Sequence, residues 1–341
     1  MLFLIITTNM VYATDTISIL MAGDTMLGEN LNKIDKKIFG NVLNELKVAH
    51  DIKLFNLEGT IGDIKQNDIF PKCSYGKYCY TFMTPPSMLS LFKDMQTNSH
   101  IVFNMANNHS MDYGIKVQEK TYDLIIKENF GAIGTRKNPI IKYNIRNHKI
   151  ALLGASPHSN TFSIFDQTLL SKISFLKKQG YIIIVSLHMG AEGNDKYKVI
   201  DEDEIFLGQN RGNIYKLSRS LIDNGADLIV GHGPHVLRGI EMYKNKIVAY
   251  SLGNFLTYGK FALHDKLAYG GLLSITLNSD GNFVKGKFIG VEQLKNTNPH
   301  EWNMGIALTK SKKSTEWLQK ISYDNFNKNS IKFDKEGNLY K

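Results

Sequence analysis

The chain has 341 residues, of which 43 % are hydrophobic and 21 % charged, and a formal net charge of +9. This length and balance fit a globular protein with a sizeable core, in one large domain or two small ones, and the lack of a repeat period or long low-complexity tract excludes solenoids and disordered chains. The positive balance favours anionic partners, but no dense Lys/Arg run or aromatic-interleaved basic stripe is present, so nucleic acid is not an expected partner.

From the start, Met1 to Ile6 is apolar, and Val11-Tyr12-Ala13 places small residues where a signal cleavage site has them. A positive n-region is missing, as it would be from a clipped start. The alternative, a first strand, is less suitable because another strand, 17–21, follows at once. Residues 1–13 are therefore expected to be a signal peptide, and the protein to be exported. Cys73 and Cys79 flank a short polar loop. They are expected to form a small disulfide ring in an oxidising compartment, or to remain two thiols; a zinc site lacks further ligands nearby.

Short apolar runs at 17–22, 52–57, 101–105, 150–153, 181–187, 227–230 and 247–250 read as strands. Runs 271–277 and 282–291 read as a hairpin turning at Asp280-Gly281. Helical patterns fall between, at 32–49, at 114–129, and after Asn213, with Ile214, Leu217, Leu221 and Ile222 inward and Gly225 as the stop. The rhythm is that of an α/β fold.

Each strand ends in polar residues, most of them near glycine. Run 17–22 ends in Gly23-Asp24, and run 52–57 continues into Glu58-Gly59. Run 101–105 leads to Asn107-Asn108-His109, and run 181–187 to His188-Met189-Gly190. Run 227–230 leads to Gly231-His232-Gly233-Pro234-His235, and run 247–250 to Ser251-Leu252-Gly253-Asn254. His158 follows a strand end too. In open α/β sheets ligands bind beyond the carboxyl ends of the strands, so these groups are expected to converge. Taken singly, each is an ordinary turn, cap or core residue. Taken together, carboxylates, an amide and imidazoles without thiolate suit one or two divalent ions, Mn, Fe, Zn or Mg.

At these residues the sequence resembles the bacterial poly-γ-glutamate capsule-synthesis family, the CapA type. The segments that carry the resemblance begin at Ala22-Gly23-Asp24-Thr25-Met26, Asn56-Leu57-Glu58-Gly59 and Ala106-Asn107-Asn108-His109. They continue with Ser186-Leu187-His188-Met189-Gly190, Gly231-His232-Gly233-Pro234-His235 and Tyr250-Ser251-Leu252-Gly253-Asn254. That family is similar in turn to the calcineurin-like metallophosphoesterases. The resemblance implies an α/β sandwich of two mixed sheets flanked by helices. It implies Asp24, Glu58, Asn108, His188, His232 and His235 as metal ligands and Asp24 and His109 as catalytic, His109 near the leaving group. It also implies membrane proteins of capsule assembly as partners.

Three departures bear on the chemistry. Met26 stands where phosphoesterases carry a His two residues after the first Asp, Glu58 replaces a bridging Asp, and one extra residue separates His232 from His235. The expected organisation is a CapA-type domain over 14–293 and a peripheral extension over 294–341, with Trp302 and Trp317 anchoring it. The expected function is metal-dependent hydrolysis in capsule biosynthesis, acting on an anionic polymer or a phosphorylated small molecule, with Arg211, Arg238 and Asn254 on the substrate. The competing expectations are a metal-assisted binder of the polymer outside the cytoplasmic membrane and a purely structural protein.

Overall fold

The computed structural model describes residues 15–26, 36–63, 80–257, 263–293 and 308–341. The leader, Cys73, Cys79, Trp302 and the start of the expected 32–49 helix lie outside the described residues.

Two mixed sheets make up the body. In the first, strands Thr16–Met26, Ile52–Leu57, His100–Asn104 and Gly131–Ile133 run parallel in that spatial order. The expected hairpin, Tyr269–Asn278 and Phe283–Glu292, pairs antiparallel on the other flank of Thr16–Met26. In the second sheet, His148–Ala155, Tyr181–His188, Leu228–His232 and Lys246–Leu252 run parallel, with antiparallel strands Ile140–Ile145 and Leu237–Tyr243 at the edges. Parallel strands are covered on both faces, which is why they read as continuous apolar runs rather than alternating ones.

Strand alternation sorts these side chains into layers. Ile17, Ile19 and Met21 face inward, with Ile150, Leu152, Ile182, Ile184, Leu228 and Val230 completing the core between the sheets. On the outer face of the first sheet, Leu20, Phe55 and Phe103 pack under Phe39, Phe92 and Ile125 from flanking helical segments. On the outer face of the second, Leu153, Ile183 and Ile229 pack under Ile173 and Leu221 of helices Leu169–Lys178 and Ile214–Asp223. Asn213 caps the latter helix as its sequence suggests, its side chain accepting from the backbone N–H of Lys216. The two-sheet α/β sandwich is thus the observed architecture.

Two regions differ from expectation. The described part of 32–49 is a 3₁₀ segment, Lys36–Val42, broken at Gly40 (φ 49°), followed by a short α-helix, Leu43–Lys47. The described part of the tail is not peripheral. Helix Lys312–Phe326 lies against the body, burying Leu318 and Ile321, and strands Thr309–Lys310, Lys332–Phe333 and Asn338–Tyr340 extend the first sheet. No helix among the described residues is long and apolar enough to cross a membrane.

Candidate metal centre

Strand register assembles the site. Asp24 lies opposite Asn56 on one side and Asn254 on the other, and Asn56 lies opposite Asn104, so one polar row crosses the first sheet. In the second sheet His232 lies opposite His188. The backbone N–H of Asp24 donates to the carbonyl of Gly253 (2.8 Å), and that of Glu58 to the carbonyl of Thr25 (3.0 Å). Gly23 is required here, since a Cβ would stand 2.2 Å from the Gly253 carbonyl oxygen. His235 has φ 59°, a conformation that costs a non-glycine residue free energy and persists where the surroundings impose it.

Donor atoms of Asp24, Glu58 and His235 all lie within 4.8 Å of one another. His232 Nδ1 stands 3.4 Å from Asp24 Oδ1, and His235 Nδ1 3.0 Å from Asp24 Oδ2. His235 Nε2 is 3.4 Å, and His188 Nε2 4.0 Å, from Glu58 Oε1. All five side chains are buried. Both carboxylate oxygens of Glu58, both ring nitrogens of His232 and Nε2 of His188 make no hydrogen bond of normal geometry. Buried polar groups left in this way cost about 1–3 kcal/mol each.

The electrostatics are equally strained. Burial raises the Asp24 carboxyl, but His232 and His235 more than offset this and hold it well below the usual carboxylate range. Burial pushes Glu58 well above that range against the pull of His235, with Asp24 and Glu192 adding to the rise. Burial holds His188 well below the usual imidazole value. His235, despite its burial, is pushed up to about 10 by Glu58 and Asp24. A divalent cation would suit this set: carboxylate and imidazole donors converge, and among the described residues nothing in the cage is soft apart from the neighbouring Met26, a poor ligand for a hard ion. The residues present fit a divalent metal.

A cavity of about 680 Å³ opens beside the cage, lined by Asn108, His109, His158, Glu192, Arg211 and the segment 206–210. His109 stands 2.8 Å through Nδ1 from Asp112 Oδ2, which also accepts from the backbone N–H of Phe82, and its ring packs on Phe82. Asn108 Nδ2 donates to Glu192 Oε1 at 3.5 Å. Arg211 pairs with Glu192 (3.1 Å), reaches His158 Nε2 (3.2 Å) and lies over the Phe206 ring.

Two expected substrate residues are engaged elsewhere. Arg238 is fully buried and closes its guanidinium fork on both oxygens of Glu204 (2.7 and 2.7 Å), while Nε donates to the carbonyl of Lys196. With its donors taken, Arg238 is a structural residue. Asn254 is also buried: its amide donates to the carbonyl of Leu267, and its Oδ1 faces His235 Nδ1 at 3.1 Å, so it orients that ring instead of facing the cavity.

Sequence reasoning missed three residues that shape the site. Asn56 Nδ2 donates to Asp24 Oδ1 (2.9 Å) and lies 3.2 Å from His188 Nδ1, tying the two sheets together at the cage. Asp112, three residues after His109, was detectable as a carboxylate one turn from an expected catalytic His. Glu192 follows His188 by four residues in the same loop.

Fold and site together define a two-sheet α/β protein with a buried carboxylate–imidazole cage at the strand ends. Residues 18–258 match the family described as "Bacterial capsule synthesis protein PGA_cap", and the chain belongs to that family. It is similar to the PGA biosynthesis protein CapA of Bacillus subtilis (strain 168), 29 % identical over 271 residues that cover 72 % of this chain and 64 % of that one. It is also similar to the capsule biosynthesis protein CapA of Bacillus anthracis, 31 % identical over 175 residues that cover 46 % of this chain and 39 % of that one. The matches thus span less than two thirds of these relatives. Among solved structures, a phosphatase from Mycoplasma pneumoniae aligns with a TM-score of 0.48 and 12 % identity, over 81 % of this chain and 94 % of that one. A 5'-nucleotidase precursor from Thermus thermophilus aligns with a TM-score of 0.44 and 13 % identity, over 81 % and 54 %.

Proposed function

We propose that this chain is a metal-dependent phosphoesterase acting in capsule biosynthesis, exported by its apolar leader. The observation that carries the reading is the buried cage whose Glu58, His188 and His232 atoms lack hydrogen bonds, set beside a cavity lined by an Asp-held histidine. Asp24, Glu58, His188, His232 and His235 would hold the ion, with Asn108 at the cavity side. A divalent ion bound there would polarise a phosphoryl oxygen and acidify water. The chain's own residues do the rest. Asp112 orients the His109 ring, and His109 donates a proton from Nε2 to the leaving oxygen. Arg211 and His158 hold the anionic remainder of the substrate, and the packed sheet ends exclude bulk water from the cage.

The test is turnover of p-nitrophenyl phosphate and bis(p-nitrophenyl) phosphate by the purified full chain with added Mn²⁺. Hydrolysis is expected to vanish on chelation. His109→Ala is expected to cost about 10²–10⁴ in turnover while the metal content stays unchanged. No turnover of either ester by protein with Mn²⁺ bound would remove the hydrolase reading. A second reading is then favoured by the relatives' names and the +9 balance: metal-assisted binding of an anionic polyglutamate-like polymer, alongside capsule-assembly membrane proteins. That binding is expected to be lost on chelation, and chelation-insensitive binding would exclude it.

A further inference from the structure

We propose that Glu192 is a further ligand of the cation, shared with Nε2 of His235 and with Glu58. The proposal rests on the metal reading above, but not on hydrolysis.

The surroundings of His235 set which ring nitrogen turns to the cage. The amide nitrogen of Asn254 donates to the carbonyl of Leu267 at 2.9 Å, so Oδ1 is the atom facing Nδ1 of His235, at 3.1 Å. A second acceptor, Asp24 Oδ2, lies 3.0 Å from the same nitrogen. Two acceptors around Nδ1 place a ring proton there, so Nε2 is the nitrogen that would meet a cation. Nε2 faces two carboxylates, Glu58 Oε1 at 3.4 Å and Glu192 Oε2 at 3.8 Å. Two carboxylates converging on one ring nitrogen call for positive charge among them, and a cation would supply it. The spacings also suit an ion. Donors about 2.1 Å from one metal stand about 3.0–3.4 Å apart at right or tetrahedral angles, so of the two separations from Nε2 that of Glu58 already fits and that of Glu192 has to close slightly. The competing arrangement is a second proton on His235.

The fold delivers Glu192 to this place. Gly190 (φ 93°) turns the chain after His188. Ala191 is then clamped, its N–H donating to Glu204 Oε2 (2.9 Å) and its carbonyl accepting from Arg238 Nη2 (3.3 Å). The buried Arg238–Glu204 pair therefore fixes where Glu192 stands. Arg211 and Asn108 contact Glu192 through Oε1, which leaves Oε2 toward His235.

The experiment is Mn²⁺ titration of the metal-stripped full chain by calorimetry, for wild type, Glu192→Gln, Glu192→Asp and Arg211→Met. Glu192→Gln is expected to weaken Mn²⁺ binding about tenfold or more, with an unchanged melting temperature in chelator, and Glu192→Asp to recover part of the loss. Arg211→Met removes the ion-pair partner but keeps the carboxylate, and is expected to bind as tightly as wild type or tighter. Wild-type affinity and ion count in Glu192→Gln would overturn the proposal, the second proton then being the better account. So would an Arg211→Met loss as large as that of Glu192→Gln, since the ion pair would then matter and not the ligand. Glu192-dependent Mn²⁺ binding without ester turnover would sustain this proposal while removing the phosphoesterase reading. No Mn²⁺ uptake by wild type would remove both.

Discussion

Two charged regions in this protein are alike in burial and differ in physics. In the Arg238–Glu204 pair both guanidinium ends meet carboxylate oxygens at 2.7 Å and the remaining donors find carbonyls. In the strand-end cage, Glu58 and His232 have every polar side-chain atom without a hydrogen bond, and two carboxylates face imidazoles across gaps of 3.0–4.0 Å. The first region is complete as a piece of protein. The second leaves buried donors and acceptors that a cation would satisfy. Burial alone does not distinguish a structural ion pair from a metal site; the state of the remaining donors and acceptors does.

Three outcomes would break or sharpen that contrast. The largest effect is expected at the complete pair. Arg238→Ala leaves Glu204 buried without its partner and lowers stability by about 3–5 kcal/mol, as read from urea unfolding, with or without chelator. A loss below about 1 kcal/mol, the scale of an exposed pair, would mean that the pair is no more than a surface contact. Next comes the cage. Mn²⁺ at a hundredfold excess over its Kd is expected to raise stability by about 2.7 kcal/mol, and Asp24→Asn to abolish that increment. An increment that survives Asp24→Asn would place the ion elsewhere.

The smallest effect concerns a third buried charge. Lys53 donates Nζ to the carbonyls of Leu46 (2.7 Å) and Met95 (2.6 Å), and burial pushes its ammonium down to about 8. Between that value and its ordinary 10.5, the unfolded chain holds a proton that the folded chain has lost, so stability rises with pH across this window. Lys53→Met is expected to flatten the rise in urea midpoint between mildly alkaline and strongly alkaline buffer. The same slope in both proteins would assign the effect to another group.

The sequence made much of this legible, and the reasons are physical. Strands buried on both faces write continuous apolar runs, so every parallel strand carrying a cage residue could be read in advance, and so could the glycines beside Asp24 and His232. Partnership across long separations was not legible. Nothing local tells Arg238 that it meets Glu204, 34 positions earlier, and an arginine after a His-rich turn reads as a substrate arm. Asn56 looks like a strand residue until register sets it opposite Asp24. The tail's polar composition concealed the helical spacing of Leu318 and Ile321, whose burial depends on the sheet beneath them. The edge strands Ile140–Ile145 and Leu237–Tyr243 went unread because half-exposed residues or an interior arginine interrupt the apolar run.

The cage draws its acids from one sheet and most of its imidazoles from the other, with the Asn56 amide as the crossing point. A captured ion would therefore act as a rivet through both layers at one end of the sandwich. Stripping it is expected to let the sheets slide against each other there first. Amide exchange would then quicken around Asp24, His188 and His232 while the opposite strand ends stay protected.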